Sequence, residues 1–408
     1  MRISLRHLWS GSLLSGVLAL SIACSRLENT ASNQERETLK PIALSSTKTV
    51  NLPHTPVKWQ SIGNCWAYAA AGWIESLMLR TDEQDVIDVS ETYITYRHYE
   101  QQLAYTFDDE LETGGSFQQA TRLILTYGLM TEADFAPDEA NSTKSERQKQ
   151  ATNILNESIA FGPLSRSRSK AVVRAELDRA FGVNMKELED KIIDPGLIRV
   201  SVGRGQTERL SDVMDSWREI SWPIDFSSYP DAPLPGMSTK PIRNLEITEQ
   251  QIALLRRAMR AMNAGHPIVL NWFVDFNGMN QDGVFGLNDL EEKGFGRQGY
   301  HSTVAEDYIA EGFDPFTGRY FVTPEGEVSD TLKATAAKFG VPTAFIIKNS
   351  WGGSERLDRS SYFRDGEKGY HKLMTDYLFA FIPQINEETQ SFQGFTTGLN
   401  GIILPPGY

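Results

Sequence analysis

Apolar residues along this 408-residue chain fall into three textures. From Leu8 to Ala23 they form a dense run, "LWSGSLLSGVLALSIA", behind Arg2 and Arg6, and polar sequence follows at once. A basic start, a short apolar run and small residues at its end mark residues 1–23 as an export signal rather than part of the fold. Several Ser and Gly interrupt the run, which falls short of the roughly 20 unbroken apolar residues of a spanning helix. Residues 24–53 are polar and aperiodic and read as a flexible tether.

The second texture is helical. Cys65 to Leu79 carries Ala67, Ala70, Ala71 and Ile74 on adjoining faces and few charges before Glu75 and Arg80, the pattern of a buried helix. Ser90 is placed to cap a second helix over "SETYITYRHYEQQLAY". A third follows the turn "TGGS", covering Phe117 to Tyr127 and stopping at Gly128. These elements make residues 54–135 a helical lobe. Residues 136–244 hold charged helical pieces, "ATNILNESIAFG" and "SKAVVRAELDRAFG", then a run with Pro223, Pro230, Pro233 and Pro235. They read as an inserted, mainly helical subdomain.

Residues 245–408 open with one more helix, in which Thr248 and Gln251 form a capping-box pattern and Gly265 supplies the stop. Strands follow. "HPIVLNWFV", "HSTVAEDYIA", "GRYFVTP", "TAFIIKNSWG" and "GYHKLM" are short, rich in β-branched and aromatic residues, and separated by turns. Helices in the first half and strands in the second predict an α+β chain of two lobes with a cleft between them.

Composition, with 40% apolar and 23% charged residues, is that of an ordinary globular chain. A net charge of −13 and a pI near 5.1 argue against nucleic acid as a partner, and the basic run "SRSRSK" reads as a solvated approach to a helix. The two cysteines are Cys24 and Cys65. Ser21 and Ala23 suit ordinary signal cleavage, while Cys24 directly after them resembles the lipidated cysteine of bacterial lipoproteins. With lipid on Cys24, Cys65 is the single thiol of an exported chain, and a membrane anchor in the periplasm or outer membrane is expected. No cofactor is expected. For metals, "DFNGMNQDG" from Asp275 has Met279 where a calcium loop needs an oxygen ligand, and no Cys/His pair has zinc spacing.

A thiol attacks as thiolate, and Cys65 is expected at a helix N-terminus, where unpaired N–H groups and the macrodipole favour negative charge. "GNCWAY" around it resembles the nucleophile motif of papain-like cysteine peptidases. "SETYITY", "TGGSFQQATRLILTYGLMTEADF", "GYHSTVAEDY", "IIKNSWGG" and "GEKGYHKL" resemble the family's later blocks, in the family's order and over about half the chain. The pair "GNCWAY" and "KNSWGG" is highly specific.

The resemblance implies a papain-like two-lobe fold, with a helical lobe, an antiparallel β-barrel-like lobe and the inserted helical subdomain. It implies Cys65 as nucleophile, His301 as the base forming an ion pair with it, and Asn349 orienting the imidazole. It further implies Trp351 shielding the His301–Asn349 contact, and backbone N–H groups at Gly114 and Gly115 pairing with an extended substrate. Gln60 precedes Cys65 by five residues where papain has six, and is expected as an oxyanion donor. A surface glutamine, with Asn64 or a backbone amide substituting, is the other reading. Trp66 is read as packing for the helix start, and His98 as a surface residue. The Cys-to-His spacing exceeds the roughly 130 to 150 residues of the papain type by about the length of the inserted block. The expected activity is hydrolysis of peptide bonds in peptide or protein substrates. A cysteine amidase or transpeptidase on cell-wall amides and an inactive papain-fold binding protein are the alternatives.

Overall fold

The computed structural model describes residues 49–50, 52–81, 86–105, 109–140, 142–203, 205–224, 241, 247–323, 328–353, 360–364, 367–386, 388–389 and 391–408. The expected signal, Cys24, most of the tether, and Pro230, Pro233 and Pro235 lie outside these residues. The end of the expected tether is packed rather than flexible. Thr49 and Leu52 are buried, the amides of Thr49 and Val50 donate to the Asp307 carboxylate at 3.3 and 2.8 Å, and that of Leu52 donates to Glu306 O at 3.1 Å.

The helices are α1 (Cys65–Met78), α2 (Glu91–Tyr105), α3 (Phe117–Tyr127), α4 (Glu132–Phe135), α5 (Glu146–Ala160), α6 (Lys170–Phe181), α7 (Leu210–Ser216) and α8 (Glu249–Asn263), with three shorter or later ones beyond. Every residue of α1 is buried, as expected of a helix that is apolar all round. Ser90 accepts the Tyr93 amide at 2.9 Å to start α2, and Ser116 accepts the Gln119 amide at 3.2 Å to start α3. Gly128 ends α3 at φ 78°, and Thr248 and Gln251 close the capping box of α8.

The strands are β1 (Arg199–Ser201), β2 (Thr207–Arg209), β3 (Arg218–Ser221), β4 (Ile268–Asp275), β5 (Val284–Phe285), β6 (Gln298–Asp314), β7 (Arg319–Val322), β8 (Val341–Lys348), β9 (Tyr362–Arg364), β10 (Glu367–Met374), β11 (Phe381–Ile385), β12 (Phe392–Thr397) and β13 (Leu399–Leu404). Nine of them form one sheet in the order β3-β13-β4-β6-β8-β10-β5, with β7 on β6 and β9 on β10. The β10–β5 pair is parallel, so the sheet is mixed. Among the described strands the pairing runs from β3 to β5 without closing into a ring. The 17-residue β6 lies at its centre, paired to β4 and β8.

Alternation along these strands feeds two cores. Val269, Val304 and Ile403 pack with α1 and α3, while Ile268, Leu270, Ala305 and Ile402 pack with Leu255, Met259 and Met262 of α8. The sheet is therefore covered on both faces, which explains its nearly unbroken apolar strands. A third core joins Tyr93, Tyr96 and Tyr99 of α2 to Leu155, Leu177 and Phe181 of α5 and α6. The described part of residues 136–244, the expected inserted helical subdomain, packs into its neighbours. Their helices extend the first lobe, β3 joins the main sheet beside β13, and Trp222 stacks on Phe379 at 4.9 Å. The apolar faces of α5 and α6 find their cover on the tyrosines of α2.

Candidate active site

Cys65 is the first residue of α1, reached through Asn64. Asn64 is fully buried, and its Nδ2 donates to Thr95 Oγ1 at 2.9 Å and Gln148 Oε1 at 3.0 Å, fastening the helix start to α2 and α5. That carboxamide nitrogen is committed to the helical lobe, which removes Asn64 as a substitute oxyanion donor.

His301 and Asn349 come from the other side. His301 sits in β6 opposite Trp272 of β4, and Asn349 follows the end of β8. Trp59, Gln60, Gly63 and Cys65 from the approach to α1, with Phe276, Arg297, Tyr300, His301 and Trp351 from the sheet side, wall one cavity of about 410 Å³. The structure thus brings Cys65, His301, Gln60 and Trp351 to a common wall, with Asn349 behind His301.

His301 Nε2 donates to Asn349 Oδ1 at 2.7 Å. The same Oδ1 accepts the backbone N–H of Ser350 at 2.8 Å, and a backbone amide can only donate. That bond fixes which carboxamide atom faces the imidazole, places the ring proton on Nε2, and leaves Nδ1 as the basic nitrogen. Trp351 stacks on the ring with centroids 4.8 Å apart, and Trp272 meets it edge-on at 5.7 Å.

Burial pushes the Cys65 thiol up, and the amides of Ser302, Trp66 and Cys65 itself, hydrogen-bonded toward the sulfur, pull it only part of the way back. Burial likewise lowers His301 to about 4, against the raising effect of Asn349. Each group alone is neutral at pH 7, contrary to the thiolate expected from the helix N-terminus. At Cys65 desolvation outweighs the three amides.

Gln60 is half-buried on the cavity wall. Its Nε2 donates to Ile62 O at 2.8 Å, its Oε1 accepts Ser350 Oγ at 2.5 Å, and its backbone N–H donates to Ser350 O at 2.9 Å. One Nε2 hydrogen remains beyond these bonds. Gly114 and Gly115 are both exposed, in the segment between α2 and α3. A Cβ on Gly115 would lie 2.5 Å from the Trp66 ring, whereas one on Gly114 would meet nothing within 4 Å. Gly115 is thus required by the indole, and Gly114 leaves open space.

Trp66 holds this segment through Nε1–H to Thr113 O at 3.0 Å, and its ring meets His98 at 4.9 Å. His98 is buried, not on the surface as expected. Its Nε2 reaches Glu112 O at 3.0 Å, its Nδ1 takes the Gln119 amide at 2.9 Å, and burial lowers it to about 4. The helical pattern of α2 does not reveal that α3 and the Gly-Gly segment cover that face.

Sequence reasoning left Ser350, Ser302, Trp272 and His371 without a role at the site. His371 pairs with Ile347 of β8, two residues before Asn349, a register that no short motif records. Among the described residues no cluster of three His, Cys, Asp or Glu is placed to hold a metal, and Asp275 is bonded to the amides of Asn277 and Gly296 and to Gln298 Nε2.

No family model matches the chain, and no curated protein matches it. Solved structures similar to it include xylellain, a cysteine protease from Xylella fastidiosa, with 13% identity over 90% of this chain and 86% of that one and a TM-score of 0.39. Another is the bromelain protease from Ananas comosus, with 15% identity over 86% of this chain and 93% of that one and a TM-score of 0.31. The similarity to papain-like cysteine proteases is distant at these values.

Proposed function

We propose that the chain is an exported, lipid-anchored, papain-like cysteine peptidase that hydrolyses peptide bonds through a thioester on Cys65. The observation that carries this reading is that Cys65 and His301 wall one cavity, with Asn349 bonded to His301 at 2.7 Å. The helical lobe supplies the nucleophile and the sheet supplies the base, in the two-lobe manner of the family it resembles.

The steps follow from the groups present. The Cys65 proton passes to His301 Nδ1, and the sulfur attacks the scissile carbonyl carbon. The backbone N–H of Cys65 and the spare Nε2 hydrogen of Gln60 receive the oxyanion. His301 returns the proton to the leaving amine as the C–N bond breaks, leaving a thioester. Water then attacks that carbonyl with His301 as base, which releases the acid and restores the thiol. Asn349 holds the ring throughout.

Profiling the protein against a peptide library and against purified cell wall, with Cys65→Ala as control, tests the reading. Cleavage of peptides that vanishes in the control supports it. Release of cell-wall amides alone points to an amidase, and no turnover with ordinary thiol reactivity points to a binding protein.

A further inference from the structure

We propose that His371, a residue outside the Cys65–His301–Asn349 set, is a positioning residue that locks Asn349 in the orientation the reaction needs. The inference rests on the function proposed above and adds a fourth side chain to its machinery.

A carboxamide has two nearly isosteric ends, and a flipped Asn349 would present Nδ2 to His301. The flip would set two N–H donors against each other, or force the ring proton onto Nδ1, the nitrogen that has to accept from sulfur. On one side the flip is opposed by Ser350 N–H, 2.8 Å from Oδ1. On the other side stands His371, buried in β10, with Nδ1 3.1 Å from Asn349 Nδ2.

The role of that contact depends on the His371 tautomer, and the far end of its ring decides it. Nε2 lies 3.3 Å from Ser360 O, which can only accept, so Nε2 carries the proton and Nδ1 is the acceptor. A one-directional chain results. Backbone carbonyl Ser360 receives from His371, His371 receives from Asn349, and Asn349 receives from His301, which leaves His301 Nδ1 basic. Both ends of the carboxamide are thereby set by backbone groups that cannot change role, Ser350 N–H directly and Ser360 C=O through the His371 ring. The rings of Trp351 and Phe285, 5.1 and 5.8 Å from that of His371, pack it in place.

Three substitutions in the full chain separate this role from simple packing. His371→Asn puts an amide oxygen where Nδ1 stood and keeps the acceptor for Asn349. His371→Gln places its polar end near Nε2 and keeps only the Ser360 side, and His371→Leu keeps neither. The readouts are the iodoacetamide alkylation rate of Cys65, which needs no substrate, and kcat and KM on a cleaved peptide.

Leu and Gln are expected to slow alkylation and lower kcat about 10- to 100-fold with KM within about twofold, as displacement of a positioned group does, and Asn is expected to restore most of both. In an Asn349→Ala background, His371→Leu is expected to add nothing. Thermal unfolding of each variant confirms that it is folded, and a Leu variant that fails to fold leaves the Asn and Gln pair to decide. Equal behaviour of Asn and Gln, or a full Leu effect in the Asn349→Ala background, overturns the proposal. Absence of Cys65-dependent turnover in the wild type overturns the peptidase reading instead, and the alkylation series still decides the role of His371.

Discussion

The indole of Trp351 lies on the imidazole of His301 with planes 21° from parallel, while Asn349 takes the ring's Nε2 proton at 2.7 Å. Only the Nδ1 edge is left for chemistry. A ring so enclosed loses hydration that its charged form needs, which is why burial brings His301 down to about 4.

The acid limb of kcat/KM is therefore expected near pH 4 to 5 rather than at the ordinary histidine value of about 6.5. The sign follows from the paired titration. Above about pH 4 the His301 ring is neutral and free to take the Cys65 proton. Below it the ring gains a second proton while the sulfur keeps its own, and rate is lost. The pH dependence of kcat/KM, or of Cys65 alkylation, checks this, and a limb centred on 6.5 would mean the ring is hydrated.

Removing the cover should move that limb. Trp351→Ala opens one face of the imidazole to water, so the His301 value is expected to rise toward 6.5 and the acid limb to shift to higher pH. kcat falls about tenfold as water competes for the Asn349 bond. Pairing the pH profile with unfolding by urea separates this from general loosening, since an unshifted limb in a folded variant would rule out shielding.

Much of this arrangement was legible beforehand for a specific reason. Ser90, Thr248, Gly128 and the apolar face of α1 act through local chemistry, a cap, a capping box, a positive φ and a packing stripe, which short windows record. Cys65, His301 and Asn349 were placed by motifs that resemble a family. What stayed hidden depends on which surfaces meet. His98 looked exposed because nothing within α2 says that the Gly-Gly segment folds back over it. His371 looked like one more strand residue because its role depends on the register between β10 and β8. The helix N-terminus also led to the expectation of a depressed thiol pKa, and burial of Cys65 reverses that.

Gln60 is held by Ile62 and Ser350 with one amide hydrogen to spare. If that hydrogen meets the oxyanion, Gln60→Ala lowers kcat by about 10² to 10³ with KM little changed, because the bond strengthens only as charge develops on oxygen. A loss of less than about fivefold would assign the oxyanion to backbone amides alone.

The two neighbouring glycines should respond differently. Gly115→Ala drives a methyl into the Trp66 ring and is expected to cost about 1 to 3 kcal/mol of stability. Gly114→Ala meets nothing within 4 Å in the free protein, so it should leave stability unchanged. An extended substrate that approaches the Gly114 backbone should meet the added methyl, raising KM. Denaturant midpoints and KM for both variants check the contrast, and an unchanged KM for Gly114→Ala would place the substrate elsewhere.

Lys58 stabilises the approach to Cys65 through charge. Its Nζ lies 2.6 Å from Asp88, 3.0 Å from Glu91 and 3.7 Å from Glu75, and its carbonyl accepts the Gly352 amide at 3.1 Å. Burial works against the ammonium, but Glu91, Glu75 and Asp88 outweigh it and hold Lys58 charged well above its usual range. Burial raises Glu91 to about 8 despite Lys58. Lys58→Met strands the remaining carboxylates and is expected to destabilise the fold by about 3 to 5 kcal/mol at pH 7. The penalty should grow with pH. A buried acid with a raised native pKa adds stability below its unfolded value of about 4.5 and loses it as pH climbs through the native value, and removing the cation raises that value further. Because the wild-type value is about 8, that growth begins only above it. Urea unfolding of Lys58→Met at about pH 7 and about pH 9.5 measures the difference, and a penalty independent of pH would show that Lys58 acts there through packing instead of charge.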